Sequence, residues 1–331
     1  MSASKIRIGI LGVGAMGSEH AGSLLNVPGV EVVAVFSRDR GRAAAAAKTC
    51  GAKPTIDAME VIAHPAVDAI DVCVPSVNHR EFVIAAIKHG KHVFCETPFA
   101  LSIEDGRAMI DAASQSKRIL MVGLLMRSIA HYEHAYRAAR SGEHGKLLGI
   151  TAYRLGSYLH PGAPDHKSHY SDPSTELMTF DFDFIQWLMG RPDRVSASAI
   201  ASERGIPGEI SAVLGYDDGR SATVLASGLM PKSFPFSVGY RAVFERGALD
   251  LQNVFEAGPP KTNFTFYPAE GSAQRVEVNG DNPYEKELRL FAEAIRDETA
   301  GDLLAPEHAI NALVLSIATQ RSMRERRAIE L

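Results

Sequence analysis

Six residues, Gly12-Val13-Gly14-Ala15-Met16-Gly17, stand between the β-branched run Ile6–Leu11 and a helix-like stretch reaching Leu25. A buried strand that turns at once into a helix constrains the chain severely, and the three glycines answer that constraint. Gly12 allows the tight turn, Gly14 lets the backbone approach a pyrophosphate, and Gly17 lets the helix lie close to the sheet. The helix N-terminus adds free N–H groups and the positive end of its dipole. A second apolar strand, Val30–Phe36, follows at the distance a dinucleotide-binding unit requires. All six loop residues, Gly12, Val13, Gly14, Ala15, Met16 and Gly17, are therefore candidate cofactor contacts.

The end of that second strand selects the cofactor. An acidic side chain there would bind a ribose 2′-hydroxyl. This chain has Ser37, with Arg38 beside it and Arg42 nearby. A hydroxyl with a guanidinium suits a 2′-phosphate, so NADP(H) is favoured over NAD(H). Asp39 is left as the residue that could still hold a ribose.

The alternation continues. Ala69–Val74 reads as a strand, Asn78–His89 as a helix with an apolar stripe at Phe82, Val83, Ala86 and Ile87, and His92–Cys95 as a strand. Ser102 is placed to cap a helix ending near Ser116, and Ile119–Val122 forms another strand. Alternating strands and helices predict a doubly wound parallel sheet over residues 1–124. With 331 residues, about two domains are expected, leaving 125–331 for a second one.

That second region changes character. Helices are expected over 131–140 and 175–189, the latter stopped by Gly190, and a strand over 147–158. Residues 195–278 hold strand-like runs separated by Gly, Pro, Asp and Asn, such as Ser211–Gly215, Ser221–Ala226, Val238–Phe244 and Phe264–Tyr267. Two closing helices span 283–297 and 306–326, and the last is placed to pack back on the first domain. The fold class is thus α/β: a Rossmann domain plus an α+β domain with a large open, mostly antiparallel sheet. The apolar outer face of an open sheet invites self-association, to a homodimer or homotetramer.

Composition narrows the partners. Net charge is −4, which offers no basic excess for a nucleic-acid backbone, and no apolar stretch is long enough to cross a membrane. Cys50, Cys73 and Cys95 form no C-x-x-C pair, and the chain enters its first strand with no signal segment, so a cytoplasmic protein with reduced thiols is expected.

The set of motifs is familiar as a whole. The glycine loop is joined by Val74-Pro75-Ser76-Val77-Asn78-His79, by Gly90-Lys91-His92-Val93-Phe94-Cys95-Glu96-Thr97-Pro98, by Met121-Val122-Gly123 and by Gln186-Trp187-Leu188-Met189-Gly190. Together they resemble the Gfo/Idh/MocA family of glucose–fructose oxidoreductase, inositol dehydrogenase and their relatives, over essentially the whole chain. The resemblance implies a nicotinamide cofactor across the strand ends and a small sugar, cyclitol or related substrate. It implies that Pro75, Ser76, Asn78 and His79 line the cofactor and that Glu96 lies near the nicotinamide ribose, with Thr97 and Arg127 completing the set.

This chain departs from the family at its proton-transfer positions. The usual E-K-P is Glu96-Thr97-Pro98, and the usual aspartate and histidine positions fall on Glu176 and Phe180. A threonine hydroxyl is too weakly acidic to serve as a general acid or base, and phenylalanine carries no proton. A general acid or base contributes about 10²–10⁴-fold to a rate. Replacements are sought among Glu176, Asp181, His169 and Tyr158, with Glu96 and Thr97 completing the candidate catalytic set. A metal site from Asp165, His166, His169 and Asp172 matches no strong ligand spacing, so none is expected. Three functions fit: an NAD(P)-dependent oxidoreductase with an unusual proton donor, a nucleotide- or sugar-sensing regulatory protein, and a lyase or glycosidase that retains its nicotinamide.

Overall fold

The structure is a computed structural model that describes residues 5–160, 172–256 and 259–331. The chain forms two compact units, one of Met1–Ile129 with Gly280–Ile310, the other of Ala130–Asn279 with Asn311–Leu331.

In the first unit, β1 (Ile6–Leu11), α1 (Ala15–Ser23), β2 (Val30–Phe36), α2 (Arg40–Cys50), β3 (Lys53–Thr55) and α3 (Ala58–Ile62) are followed by β4 (Ala69–Val72), α4 (His79–Lys88), β5 (His92–Cys95), α5 (Ile103–Gln115) and β6 (Leu120–Val122). The six strands are parallel, in the order β3-β2-β1-β4-β5-β6. Helices cover both faces of such a sheet, so its strands are almost continuously apolar; Ile8, Ile10, Ile70, Val72 and Val93 are fully enclosed. The order reverses between β1 and β4, where the carboxyl ends of the strands open a ligand crevice. Asp39, Asp57 and Ser102 each accept a hydrogen bond from a backbone N–H in the first turn of α2, α3 and α5.

Two elements of this unit escape the periodicity. β3 is three residues long and contains Pro54, tolerated because β3 is an edge strand. α3 has only five residues.

The second unit contains α6 (Ala130–Ser141), β7 (Leu147–Leu155), α7 (Pro173–Glu176), α8 (Met178–Met189), β8 (Arg194–Ala201), β9 (Pro207–Gly215) and β10 (Ser221–Ser227). It continues with β11 (Phe236–Phe244), β12 (Gly247–Phe255), β13 (Lys261–Pro268) and β14 (Gln274–Arg275). α9 (Pro283–Arg296) belongs to the first unit, whereas α10 (Pro306–Glu325) starts there and ends in the second, before β15 (Ile329–Glu330). The nine strands run β14-β13-β12-β11-β7-β10-β9-β8-β15. Among the described residues, β7/β10 is the one parallel pair of this sheet; the others are antiparallel. β9 buries Ile210, Ala212 and Leu214 and exposes Ser211 and Val213, the alternation of a sheet with one covered face. On the covered face, Tyr132 of α6 meets Phe184 of α8 and Tyr240 of β11 edge-on at 4.7 and 5.1 Å.

The single helix predicted over 175–189 is instead two. Leu177, at φ −120° and ψ −51°, separates α7 from α8. The strand predicted to reach Tyr158 stops at Leu155, where Gly156 N–H leaves β7 and bonds Ser227 C=O at 2.8 Å.

Candidate active site

The glycine loop shows which glycines the fold requires. A Cβ on Gly17 would meet the Gly12 carbonyl oxygen at 1.9 Å. One on Gly12, itself at φ +90°, would meet the Cys73 carbonyl oxygen at 2.8 Å. Gly14 is different: a Cβ there meets nothing within 4 Å among the described residues. Folding alone does not demand glycine at 14, and the exposed cradle it leaves is what close approach of a pyrophosphate needs. Gly14 is also the N-cap of α1 and supplies no side-chain acceptor, so the first N–H groups of the helix stay open to an anion. The residues fit a dinucleotide at the strand ends.

Past β2, Ser37 is half-buried and its Oγ accepts from Asp39 N–H at 3.2 Å. Asp39 is engaged as the cap of α2, accepting from Arg42 N–H at 2.9 Å, which holds its carboxyl below the usual range. Arg38 and Arg42 lie exposed beside it.

After β4, Ser76–Asn78 form one 3₁₀ turn in which Ser76 and Asn78 are half-buried and Pro75 is exposed. The His79 imidazole is enclosed. Its Nε2 lies 2.8 Å from Val74 O and its Nδ1 3.1 Å from Phe99 O and 3.3 Å from Cys95 Sγ. Burial lowers its pKa. A neutral ring has one N–H, so it donates to one of the two carbonyl oxygens, and the Cys95 thiol can donate to Nδ1 only when the ring donates from Nε2 to Val74 O. His79 thus ties the end of β4 to the loop after β5. Arg127, also buried, donates to Leu303 O at 3.2 Å.

Glu96 and Thr97 follow β5. Thr97 Oγ1 donates to Gly123 O at 2.8 Å, and Thr97 N–H donates to Glu96 Oε2 at 2.9 Å across a turn with a cis Thr97–Pro98 peptide. The other carboxylate oxygen of Glu96, Oε1, lies 2.8 Å from His20 Nε2. His20 Nδ1 is in turn 3.0 Å from Asp71 Oδ2, and Glu287 Oε1 lies 3.9 Å from Nε2. Residue pattern alone missed His20, Asp71 and Glu287. One signal for them was present: Asp71 interrupts the apolar run Ala69-Ile70-Asp71-Val72, and a carboxylate inside a strand buried on both faces requires a partner.

The second-unit candidates are described in their own frame. Asp181 is buried and bidentate with Arg154, at 3.0 and 3.2 Å. Burial raises its pKa and Arg154 opposes the rise. The Arg154 guanidinium also lies 4.8 Å from the Phe180 ring centre, so Phe180 stacks on a cation. Glu176, half-buried, closes α7, whose N-cap Asp172 accepts from Ser174 N–H. Tyr158 is buried just beyond β7. His169, with Asp165 and His166, lies outside the described residues.

The sequence model for an oxidoreductase family with an NAD-binding Rossmann fold matches residues 6–124, and the Gfo/Idh/MocA C-terminal domain matches residues 132–250. The chain belongs to the Gfo/Idh/MocA family of oxidoreductases. Among curated family members, scyllo-inositol 2-dehydrogenase (NAD(+)) of Bacillus subtilis (strain 168) is 26% identical over 341 residues, spanning 99% of this chain and 96% of that protein. D-xylose 1-dehydrogenase (NADP(+)) 2 of Haloferax volcanii is 26% identical over 292 residues, spanning 87% of this chain and 88% of that one. Among solved structures, apo scyllo-inositol dehydrogenase from Lactobacillus casei superposes with a TM-score of 0.81 at 19% identity, covering 100% of this chain and 99% of that one, a likeness of fold. No helix among the described residues is long and apolar enough to cross a membrane.

Proposed function

We propose that this family member is an NAD(P)-dependent oxidoreductase acting between the CH–OH and C=O states of a cyclitol, sugar or related small molecule, with NADP(H) preferred. The open cradle at Gly14 carries the reading, because the fold itself has no use for glycine there. The named activities of the relatives, on inositols and on xylose, support the substrate class. Ser37 with exposed Arg38 and Arg42, and Asp39 already engaged as a helix cap, support the 2′-phosphate.

A bound nicotinamide supplies hydride acceptance or donation. The chain's own residues do the rest. Gly12–Gly17 and the N-terminus of α1 receive the pyrophosphate, and Pro75, Ser76 and Asn78 lie along the strand ends where the dinucleotide runs. Glu96 orients the turn at Thr97 through its bond to Thr97 N–H. Thr97, Glu176, Asp181, Tyr158 and His169 remain the candidates to contact substrate. The outer face of the nine-stranded sheet, with Val213, Val243, Phe255 and Tyr267 exposed, favours a homodimer or homotetramer.

Thr97 and Phe180 favour a second reading, a nucleotide- or sugar-sensing protein without turnover. A fluorescence titration with NADPH and NADH, followed in the same cuvette by a panel of inososes, keto-sugars and aldoses, separates the two. Loss of the nicotinamide signal with any member supports the oxidoreductase. Tight binding with a signal unchanged across the panel moves the reading to the sensor, and no binding of either nucleotide overturns both.

A further inference from the structure

The first unit encloses a group of ligating atoms that hydrogen bonding does not account for. Nε2 of His20 in α1 lies 2.8 Å from Oε1 of Glu96 and 3.9 Å from Oε1 of Glu287 in α9, and the three atoms stand within 4.8 Å of one another. The first approach lacks the geometry of a hydrogen bond and the second is too long for one. Nε2 of His20 and both carboxyl oxygens of Glu287 therefore have no hydrogen-bond partner among the described residues. The side chains of His20 and Glu287 are fully enclosed, and that of Glu96 is 12% exposed. A buried polar group without a partner is costly, and here such groups lie side by side.

The surroundings hold these atoms as ligands. Nδ1 of His20 lies 3.0 Å from Asp71 Oδ2, and the Cys73 thiol donates to Asp71 Oδ1 at 3.4 Å. With its proton on Nδ1 and donated to Asp71, the ring presents the Nε2 lone pair to the two glutamates. A carboxylate behind the imidazole is the usual support of a metal-bound histidine. Glu96 Oε2 is held by Thr97 N–H at 2.9 Å, which leaves Oε1 turned to His20. The rings of Phe94 and Tyr284 lie 5.9 and 5.8 Å from the imidazole and cover it. A second group of possible ligands, His20 with Asp71 and Cys73, uses the opposite ring nitrogen, but those three already satisfy one another by the hydrogen bonds between them.

We propose that His20 Nε2, Glu96 Oε1 and the Glu287 carboxylate bind one divalent cation of the first transition row, of the class of zinc or manganese. Two atoms that each stand about 2.1 Å from one cation are at most about 4.2 Å apart. The separations of 2.8 and 3.9 Å fall within that span. The imidazole selects such a metal over magnesium or calcium, and two carboxylates balance its charge. In the metal-free protein burial pushes the Glu287 carboxyl up, so an entering cation takes the place of its proton and releases it to solvent. The ligands come from α1, from the turn after β5 and from α9, so one bound ion fastens three segments that are far apart in the chain. The site involves neither nicotinamide nor substrate and does not depend on the oxidoreductase reading.

The test uses the full chain without a tag, stripped by a chelator and free of nucleotide. Zinc is titrated in at neutral pH by calorimetry, and the complex with one equivalent is measured by X-ray absorption at the zinc edge. One bound equivalent is expected, with a single imidazole, oxygen ligands at about 2.0–2.2 Å and no sulfur near 2.3 Å. Loss of a direct ligand costs at least as much as loss of the group behind it, so Glu287→Gln is expected to weaken binding by about 10²-fold or more. A dissociation constant for the native chain weaker than about 1 μM overturns the site. A sulfur ligand moves the metal to the Cys73 side of the ring, and two or more imidazoles move it away from His20; either result overturns the site as drawn. Native affinity in a folded Glu287→Gln overturns it as well. If that variant does not fold, the ligand shell of the native chain decides, since it needs no substitution.

Discussion

The glycine loop and the α7–α8 segment make an instructive pair. In the loop, the demands of folding and of binding can be separated residue by residue: Gly12 and Gly17 are forced by backbone contacts, and Gly14 is not. In α7–α8, Glu176 closes the first helix and Phe180 stands in the first turn of the second. The buried charge beside them, Asp181, is engaged with Arg154. One region keeps its full chemistry in a few short-range contacts. The other holds a stacked guanidinium and a buried ion pair, which stabilise without transferring anything. Matching nucleotide motifs therefore report cofactor capacity and leave the proton pathway to be found in space.

Five changes break or sharpen this contrast. Gly17→Val should abolish folding, because the added Cβ alone would sit 1.9 Å from the Gly12 carbonyl oxygen; circular dichroism of the purified chain decides it. Asp181→Asn should cost about 3–5 kcal/mol by taking the bidentate carboxylate from the buried Arg154 guanidinium, read as a lower Tm. A variant as stable as the native chain would show that Asp181 is retained for chemistry instead.

Gly14→Ala should leave Tm nearly unchanged while weakening nucleotide binding about tenfold or more, measured by the same fluorescence titration. Equal loss of stability and binding would erase the distinction between the glycines. Arg38→Ala should remove a charged contact of about 1.5–3 kcal/mol from NADPH and leave NADH unaffected.

The smallest effect concerns pH. The folded carboxyl of Glu287 binds its proton more tightly than the unfolded one, so the folded state holds the extra proton above the ordinary value near 4.3. Stability is fully present below that value and is lost as pH rises through the window, by up to about 1.4 kcal/mol per pH unit. Glu287→Gln, neutral throughout, should flatten denaturation midpoints measured across this range, and identical slopes in the two proteins would contradict a protonated Glu287.

Much of the first unit was legible because its determinants are local. A strand buried on both faces is an uninterrupted apolar run, and a cap such as Ser102 sits one residue before its helix. β3 was not legible, since a three-residue edge strand containing Pro54 has no period to detect. The break at Leu177 between α7 and α8 was equally hidden, since the apolar pattern runs on across it. The central part of the candidate site was hidden for a different reason. Asp71 announces that it needs a partner, but His20 is 51 residues away and Glu287 lies on the far side of the second unit in sequence. Three-dimensional pairing of this kind leaves no spacing rule in a single chain.

The position of Glu287 also bears on the order in which the protein is made. Phe291 packs on Phe94 at 5.6 Å and Tyr284 faces His20, so the helix that encloses β5 and α1 is encoded after the nine-stranded unit's long run of strands. On the ribosome, the nucleotide-binding half emerges first yet lacks this helix until nearly nine-tenths of the chain has been synthesised. A protein released early would have every glycine of its binding loop and none of the enclosure that Tyr284, Glu287 and Phe291 provide.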